Sequence, residues 1–232
     1  MTTAIILCGG LGTRLKKIFP DVPKPLVTIK GRPFLYYLLD FLKNQKIDNV
    51  ILSIGYKAHD IRRTIPQNYK NLKISFCQED NLLGTGGAII KAVKDFKIDD
   101  DFFILNGDTY FPIDLNEMRK YHSQKKADLT IAITSVKNTY RFGRVEFNTD
   151  GKIQNITRNK NGTGHINGGI YFCHGKNFYP LETKNCNLET DIILPLLINE
   201  KLIYCYESSA SFVDIGTEEG WLESLEIIPR EK

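Results

Sequence analysis

Ala4-Ile5-Ile6-Leu7-Cys8-Gly9-Gly10-Leu11-Gly12-Thr13-Arg14-Leu15 is the stretch that decides the fold. Its apolar start reads as a buried strand. Three glycines, a threonine and an arginine follow at once, as in the first β–α turn of an α/β protein. Glycine has no Cβ, so such a turn approaches an anion closely and reaches dihedrals that other residues avoid. Its N–H groups converge on phosphate oxygens, and Arg14 adds a planar cationic fork. A second cation follows in Pro23-Lys24-Pro25-Leu26, where prolines stiffen the backbone around one lysine. Together they read as a site for a polyanion. The P-loop pattern is absent, and a dinucleotide fingerprint fails because leucine stands at position 15, where its third glycine belongs.

Working outward, apolar runs alternate with amphipathic stretches. Residues 49–54, 73–77 and 101–105 read as short buried strands, and 33–46, 86–96 and 115–125 as helices with apolar residues at three- and four-residue spacing. That alternation predicts a mostly parallel sheet flanked by helices. Ligands of such sheets bind beyond the carboxyl ends of the strands, which puts the glycine loop and Asp108 on one rim. After 129–136, a further strand, the pattern becomes richer in β. Strands 143–147 and 152–157 flank the hairpin signal Asn148-Thr149-Asp150-Gly151. An extended run at 166–173, a helix at 188–199, strands at 202–206 and 212–215, and a closing helix at 218–227 complete the chain. This half is expected to set a mixed sheet over the site. The whole reads as one domain with two lobes, about 1–136 and 137–232.

Composition narrows the function. The chain has 232 residues, 42% hydrophobic and 25% charged, as in an ordinary globular protein. No apolar run approaches the ~20 residues of a membrane helix, and residues 1–7 read as a first strand, not a signal peptide. A net charge of +4 fits anionic small molecules and is too diffuse for nucleic acid. Five cysteines, scattered and without a C-x-x-C pair, point to a reducing, cytoplasmic compartment and away from structural zinc. Cys8 reads as a small packing residue in the loop.

Two aspartates stand where strands run out, Asp108 after Asn106-Gly107 and Asp214 in Phe212-Val213-Asp214-Ile215-Gly216-Thr217. Singly, each suits a cap or turn; beside a polyanion loop, they suit one Mg²⁺, which takes one or two carboxylates plus phosphate oxygens. A second glycine-rich turn, Leu83-Gly84-Thr85-Gly86-Gly87-Ala88, either reads a base edge or merely opens a helix. Asn167, Glu189 and Asp191 offer acceptors for ligand hydroxyls; Glu189 and Asp191 serve equally as charges at a helix N-terminus. Two cations, a phosphate cradle and a carboxylate-held metal suit phosphoryl-type transfer. A phosphate monoester nucleophile, with a second pKa near 6, would need no general base, and none is evident.

These segments, with Asn167-Gly168-Gly169, together and in this order resemble the sugar-1-phosphate nucleotidyltransferases over nearly the whole chain. The resemblance implies a Rossmann-like sheet with a smaller sugar-binding lobe, and Mg²⁺-dependent synthesis of a nucleotide sugar and pyrophosphate from a nucleoside triphosphate and a sugar 1-phosphate. It implies Leu7, Gly9, Gly10, Gly12, Thr13, Arg14, Lys24, Glu79, Gly84, Thr85 and Asn106 around the nucleotide, with Arg14, Lys24 and Asp108 at the reaction. It implies Asp108 and Asp214 on the metal, and Gly143, Asn167 and Glu189 facing the sugar. Many members carry Glu-Lys-Pro after the hairpin; here Asn159 takes the lysine's place between Arg158 and Lys160, either of which would grip the sugar phosphate. Lys160 is the residue carried forward. Overall similarity points to the bacterial mannose- and heptose-1-phosphate guanylyltransferase branch, hence GTP, GDP-heptose and surface polysaccharide synthesis, in an enzyme without nucleic-acid or membrane partners and with a homodimer as its candidate assembly. A uridylyl- or thymidylyltransferase of the same fold is the alternative. A silent nucleotide-sensing subunit is another, though Arg14, Lys24, Asp108 and Asp214 are all present.

Overall fold

In the computed structural model, which describes residues 1–157 and 160–229, the opening apolar run forms β1 (Thr3–Leu7). The ribbon β2 (Thr28–Ile29) and β3 (Arg32–Pro33) leads into α1 (Phe34–Asn44) and β4 (Asn49–Ile54). Helix α2 (Ala58–Thr64), β5 (Asn68–Tyr69), β6 (Leu72–Gln78), α3 (Gly84–Phe96) and β7 (Asp101–Asn106) follow. Next come β8 (Thr109–Tyr110), α4 (Leu115–Lys125) and β9 (Leu129–Val136). The second half supplies β10 (Arg144–Phe147), β11 (Ile153–Thr157), β12 (Gly164–His174), α5 (Leu194–Ile198), β13 (Ile203–Glu207), β14 (Val213–Asp214) and α6 (Glu218–Ile227).

One mixed sheet organises these elements, in the order β11-β10-β12-β7-β1-β4-β6-β5, with β9 pairing β12 and β13 pairing β9. Its centre, β7-β1-β4-β6, is parallel. Both faces of that centre are covered, so β1 is apolar on both sides: Ala4 and Ile6 join the core under α1, α2 and α4, while Ile5 joins the core under α3. Local chemistry sets the helix ends. Asp114 caps α4 by accepting from the Asn116 and Glu117 N–H groups, and Thr217 caps α6 by accepting from Gly220. No helix among the described residues is long and apolar enough to cross a membrane.

Three expectations need correction. No helix follows the glycine loop; Gly12 to Phe19 closes in tight turns, Leu15 N–H to Gly12 O and Phe19 N–H to Leu15 O. Pro20 disfavours helix at the residue before it, and the few residues left are too short to hold a helix. Apart from β14, which pairs with β8 in a small ribbon, the β-rich second half joins the main sheet, because β12 is long enough to pair β7 and β9 together and extend it. The helix at 188–199 is divided into a wide π-turn, Leu188–Ile193, and the short α5. Pro195, at the start of α5, has no N–H to continue a single ladder.

Candidate active site

Strands β1, β4, β6 and β7 run parallel, so their carboxyl ends share one rim, and the first glycine loop folds over it. The Cys8 N–H donates to Ser53 O at 2.8 Å, tying the loop to β4. Below Gly9 lies the buried carboxylate of Glu79, which accepts from Ser53 Oγ (3.1 Å) and from the Leu83 N–H (2.9 Å). One side chain thus joins both glycine-rich turns. A Cβ on Gly9 would sit 2.5 Å from Glu79 Oε1, which is why this position is glycine. The open cleft here, about 550 Å³, is lined by Leu7, Gly9, Gly10, Gly12, Thr13, Glu79, Gly84, Thr85 and Asn106; Arg14 and Lys24, grouped with them in the sequence reading, do not line it.

The second glycine-rich turn opens α3, and its glycines also make room for a distant segment. A Cβ on Gly84 would meet Cys186 O at 2.5 Å, and one on Gly86 would meet Cys186 Sγ at 2.8 Å. These glycines admit the segment 184–187, whose Cys186 O accepts from the Gly86 N–H at 2.9 Å. Gly84 and Thr85 still line the cleft.

A second compartment of about 410 Å³ opens beside the first and shares Thr85, Asn106 and Asp108 with it. Here the structure gathers Gly143, Asn167 and Glu189 from three remote parts of the chain. Asn167 Nδ2 donates to Glu189 Oε1 (2.9 Å) and to Tyr171 Oη (2.6 Å), and the Asn167 N–H donates to Gly143 O (3.1 Å). Asn167 is held there by an irregularity in β12, whose register against β9 shifts between Asn167 and Tyr171. The two glycines between make it possible. Gly169 has φ +74°, and a Cβ on Gly168 would lie 2.6 Å from the Phe111 ring. Glu189 and Asp191 part company. Asp191 turns back to accept from the Asn187 N–H at 2.7 Å, which holds its carboxyl below the usual range, and it lines neither compartment.

At the junction, β14 pairs antiparallel with β8, Asp214 opposite Thr109. The Ile215 N–H donates to Asp108 O at 2.9 Å. Two carboxylates 106 residues apart are thereby brought together, and the Lys24 ammonium bonds Asp108 and lies 3.9 Å from Asp214 Oδ1. Burial first, and Asp108 second, push the Asp214 carboxyl above its ordinary range, against the pull of Lys24 and the Gly216 N–H. The pair therefore favours a cation. Among the described residues no group of three or more His, Cys, Asp or Glu side chains is placed to cage a metal. An ion held by Asp108 and Asp214 would draw its other ligands from phosphate and water, as Mg²⁺ does. Cys8, wholly buried under the loop, has its thiol pushed far up by burial and then by Asp108, which suits packing and not nucleophilic attack.

Arg14 lines the second compartment. Lys160 does not line either one; its ammonium pairs with Glu146 Oε1 at 2.8 Å on β10. Arg158 and Asn159 lie outside the described residues. Sequence reasoning missed Arg141, whose guanidinium lies 3.7 Å from Asp214 Oδ2 and 3.6 Å from Glu219 Oε2. Its signal was present, a cation between two aromatics in Tyr140-Arg141-Phe142 just before Gly143. Asn185 and Asn187, on the segment that packs against the second glycine turn, were also missed.

Comparison with known proteins shows the family to which the chain belongs. Residues 3–230 match the model of the nucleotidyl transferase family. The chain is 38% identical, over 92% of each sequence, to a D-glycero-alpha-D-manno-heptose 1-phosphate guanylyltransferase of Aneurinibacillus thermoaerophilus. It is 38% identical to a Campylobacter jejuni protein of the same description, over 72% of this chain and 74% of that one. The crystal structure of HddC from Yersinia pseudotuberculosis complexed with GMP-PN superposes with a TM-score of 0.86 at 34% identity, covering 97% of this chain and 99% of that one.

Proposed function

Because the chain belongs to the nucleotidyl transferase family, we propose that it is a sugar-1-phosphate guanylyltransferase, making GDP-heptose and pyrophosphate from GTP and D-glycero-α-D-manno-heptose 1-phosphate. The observation that carries the reaction class is the junction: two adjoining compartments meet at Asp108, where Asp214 and Lys24 converge. The choice of guanine and heptose rests on the likeness to the heptose 1-phosphate guanylyltransferases and to HddC with GMP-PN.

In this reading the first compartment takes the nucleotide, with the N–H groups of the glycine loop on its phosphates, and the second takes the sugar 1-phosphate beside Gly143, Asn167 and Glu189. An oxygen of the sugar phosphate attacks the α-phosphorus. The α–β phosphoanhydride bond breaks, and its electron pair leaves on pyrophosphate. The attacking monoester is ionised at neutral pH, so no side chain must remove a proton. The barrier is repulsion between anions; at an effective dielectric of 20, two like charges 4 Å apart cost about 4 kcal/mol. Lys24 at the junction and Arg14 on the second compartment offset that charge. Asp108 and Asp214 are the residues that would hold Mg²⁺, which supplies further charge neutralisation when bound. Five free thiols support a reducing, cytoplasmic setting.

A pyrophosphate-release assay crossing four nucleoside triphosphates with a panel of sugar 1-phosphates tests the proposal. Release is expected with GTP and the heptose 1-phosphate. Release with UTP and glucose 1-phosphate, and none with GTP and mannose- or heptose-type phosphates, overturns it.

A further inference from the structure

The second compartment must hold a phosphate monoester, yet the position where the resemblance expects a lysine holds Asn159, Lys160 does not line the compartment, and Arg158 lies outside the described residues. Among the described residues, Arg14 and Arg141 are the cations lining that compartment. Arg14 follows directly on the loop of the nucleotide side. Arg141 comes from the far side of the chain's order, two residues before Gly143. Building on the proposed reaction, we infer that Arg141 is the residue that grips the phosphate of the sugar 1-phosphate.

The geometry supports this in three ways. Its guanidinium is 3.7 Å from Asp214, so a phosphate on it lies beside the junction where the two substrates meet. Its other partner, Glu219, is 86% exposed, and so weak an ion pair yields readily to a phosphate. The guanidinium also lies 5.4 Å from the Phe142 ring, which restrains the fork beside Gly143. A planar fork binds two phosphate oxygens at once, which a lysine does not do. Arg141 thus takes over the role of the missing lysine from a different strand connection.

The test is steady-state kinetics of R141A and R141K, varying GTP and the sugar 1-phosphate separately, with calorimetric binding of GTP as the measure of folding. In R141A the KM for the sugar 1-phosphate is expected to rise about 10- to 100-fold, the worth of a charge-assisted hydrogen bond. The KM and Kd for GTP are expected to stay within about threefold, and R141K is expected to recover only part of the loss. An unchanged KM for the sugar 1-phosphate overturns the inference. So does an equal rise in both KM values, or a change confined to the Mg²⁺ requirement, which marks Arg141 as a residue that positions Asp214. Should R141A fail to bind GTP, R141K decides: an intact KM for the sugar phosphate there also overturns it. A wild-type protein inactive with every substrate pair would instead bring down the proposed reaction itself.

Discussion

The two compartments of the cleft are built by different means. Most of the first follows from short segments at strand ends: the glycine loop after β1, Asn106-Gly107-Asp108 after β7, and the turn that opens α3. Each is placed by the strand before it, and Glu79 accepts from Leu83 at the last of them while packing against Gly9 of the first. The second compartment has no such local logic. Gly143, Asn167 and Glu189 come from a loop, an irregular strand and a π-turn, and they meet only because β12 shifts register against β9. A site made from local turns tolerates little change in its glycines. A site made from long-range pairing depends on whatever holds the pairing in place, and here that is Gly168 against Phe111.

The largest effects are expected where the compartments join. Asp108→Asn and Lys24→Ala should each lower turnover by at least ~100-fold, as loss of a preorganised charge does. Near-normal rates in both variants would remove the junction from the chemistry. Gly168→Ala sharpens the contrast, because its Cβ meets an aromatic ring inside the sheet. It should cost about 1–3 kcal/mol in urea unfolding. In the folded fraction, the KM for the sugar phosphate should rise while GTP affinity holds; a fall in GTP affinity alone would break the division between compartments.

Thr85 is the bridge in this comparison, since its Oγ1 accepts from the Leu188 N–H at 2.9 Å, at the start of the turn that carries Glu189. Thr85→Val should therefore weaken both substrates together, by about 1 kcal/mol each. A shift in only one KM would uncouple the two walls.

The smallest effect is a control away from the cleft. Asp40 accepts from Arg32 (2.7 Å), Tyr69 (2.9 Å) and Lys70 (3.0 Å). Burial works to raise its carboxyl, but the hydrogen bonds from Arg32, Lys70 and Tyr69 outweigh it and hold the group below its ordinary range. A lowered folded-state pKa stabilises the protein above the unfolded value of about 3.9 and loses that stability as pH falls through the folded value. Asp40→Asn should cost about 0.5–1 kcal/mol at pH 7 after solvent screening, shrinking toward zero as pH falls through the lowered folded-state value, with both KM values unchanged. A gap that persists in acid would mean that the loss is packing and not charge.

Much of the nucleotide side was legible because its signals are contiguous. Glycines, a proline-framed lysine and a strand-ending aspartate each declare a backbone shape or a charge within a few residues. The acceptor side was legible only as separate residues. Asn167, Glu189 and Asp191 looked alike on paper, and the ring of contacts that keeps the first two and sends Asp191 to cap a turn is invisible in spacing. Arg141 was missed for the same reason, as its value lies in its distance to Asp214. Lys160 misled because nearness in sequence to a missing lysine does not give a side chain its direction.

By itself the sequence determined the parallel centre of the sheet, the glycine-rich turn after β1 and the rim that this turn shares with Asp108, since periodicity and glycine chemistry act over a few residues. Tertiary structure alone decided that Asp108 and Asp214 share one ammonium, that Glu189 and not Asp191 enters the site, and that Arg141 stands beside them. Those outcomes depend on strand pairing and register between distant segments, which are set by how the two cores pack on a single sheet.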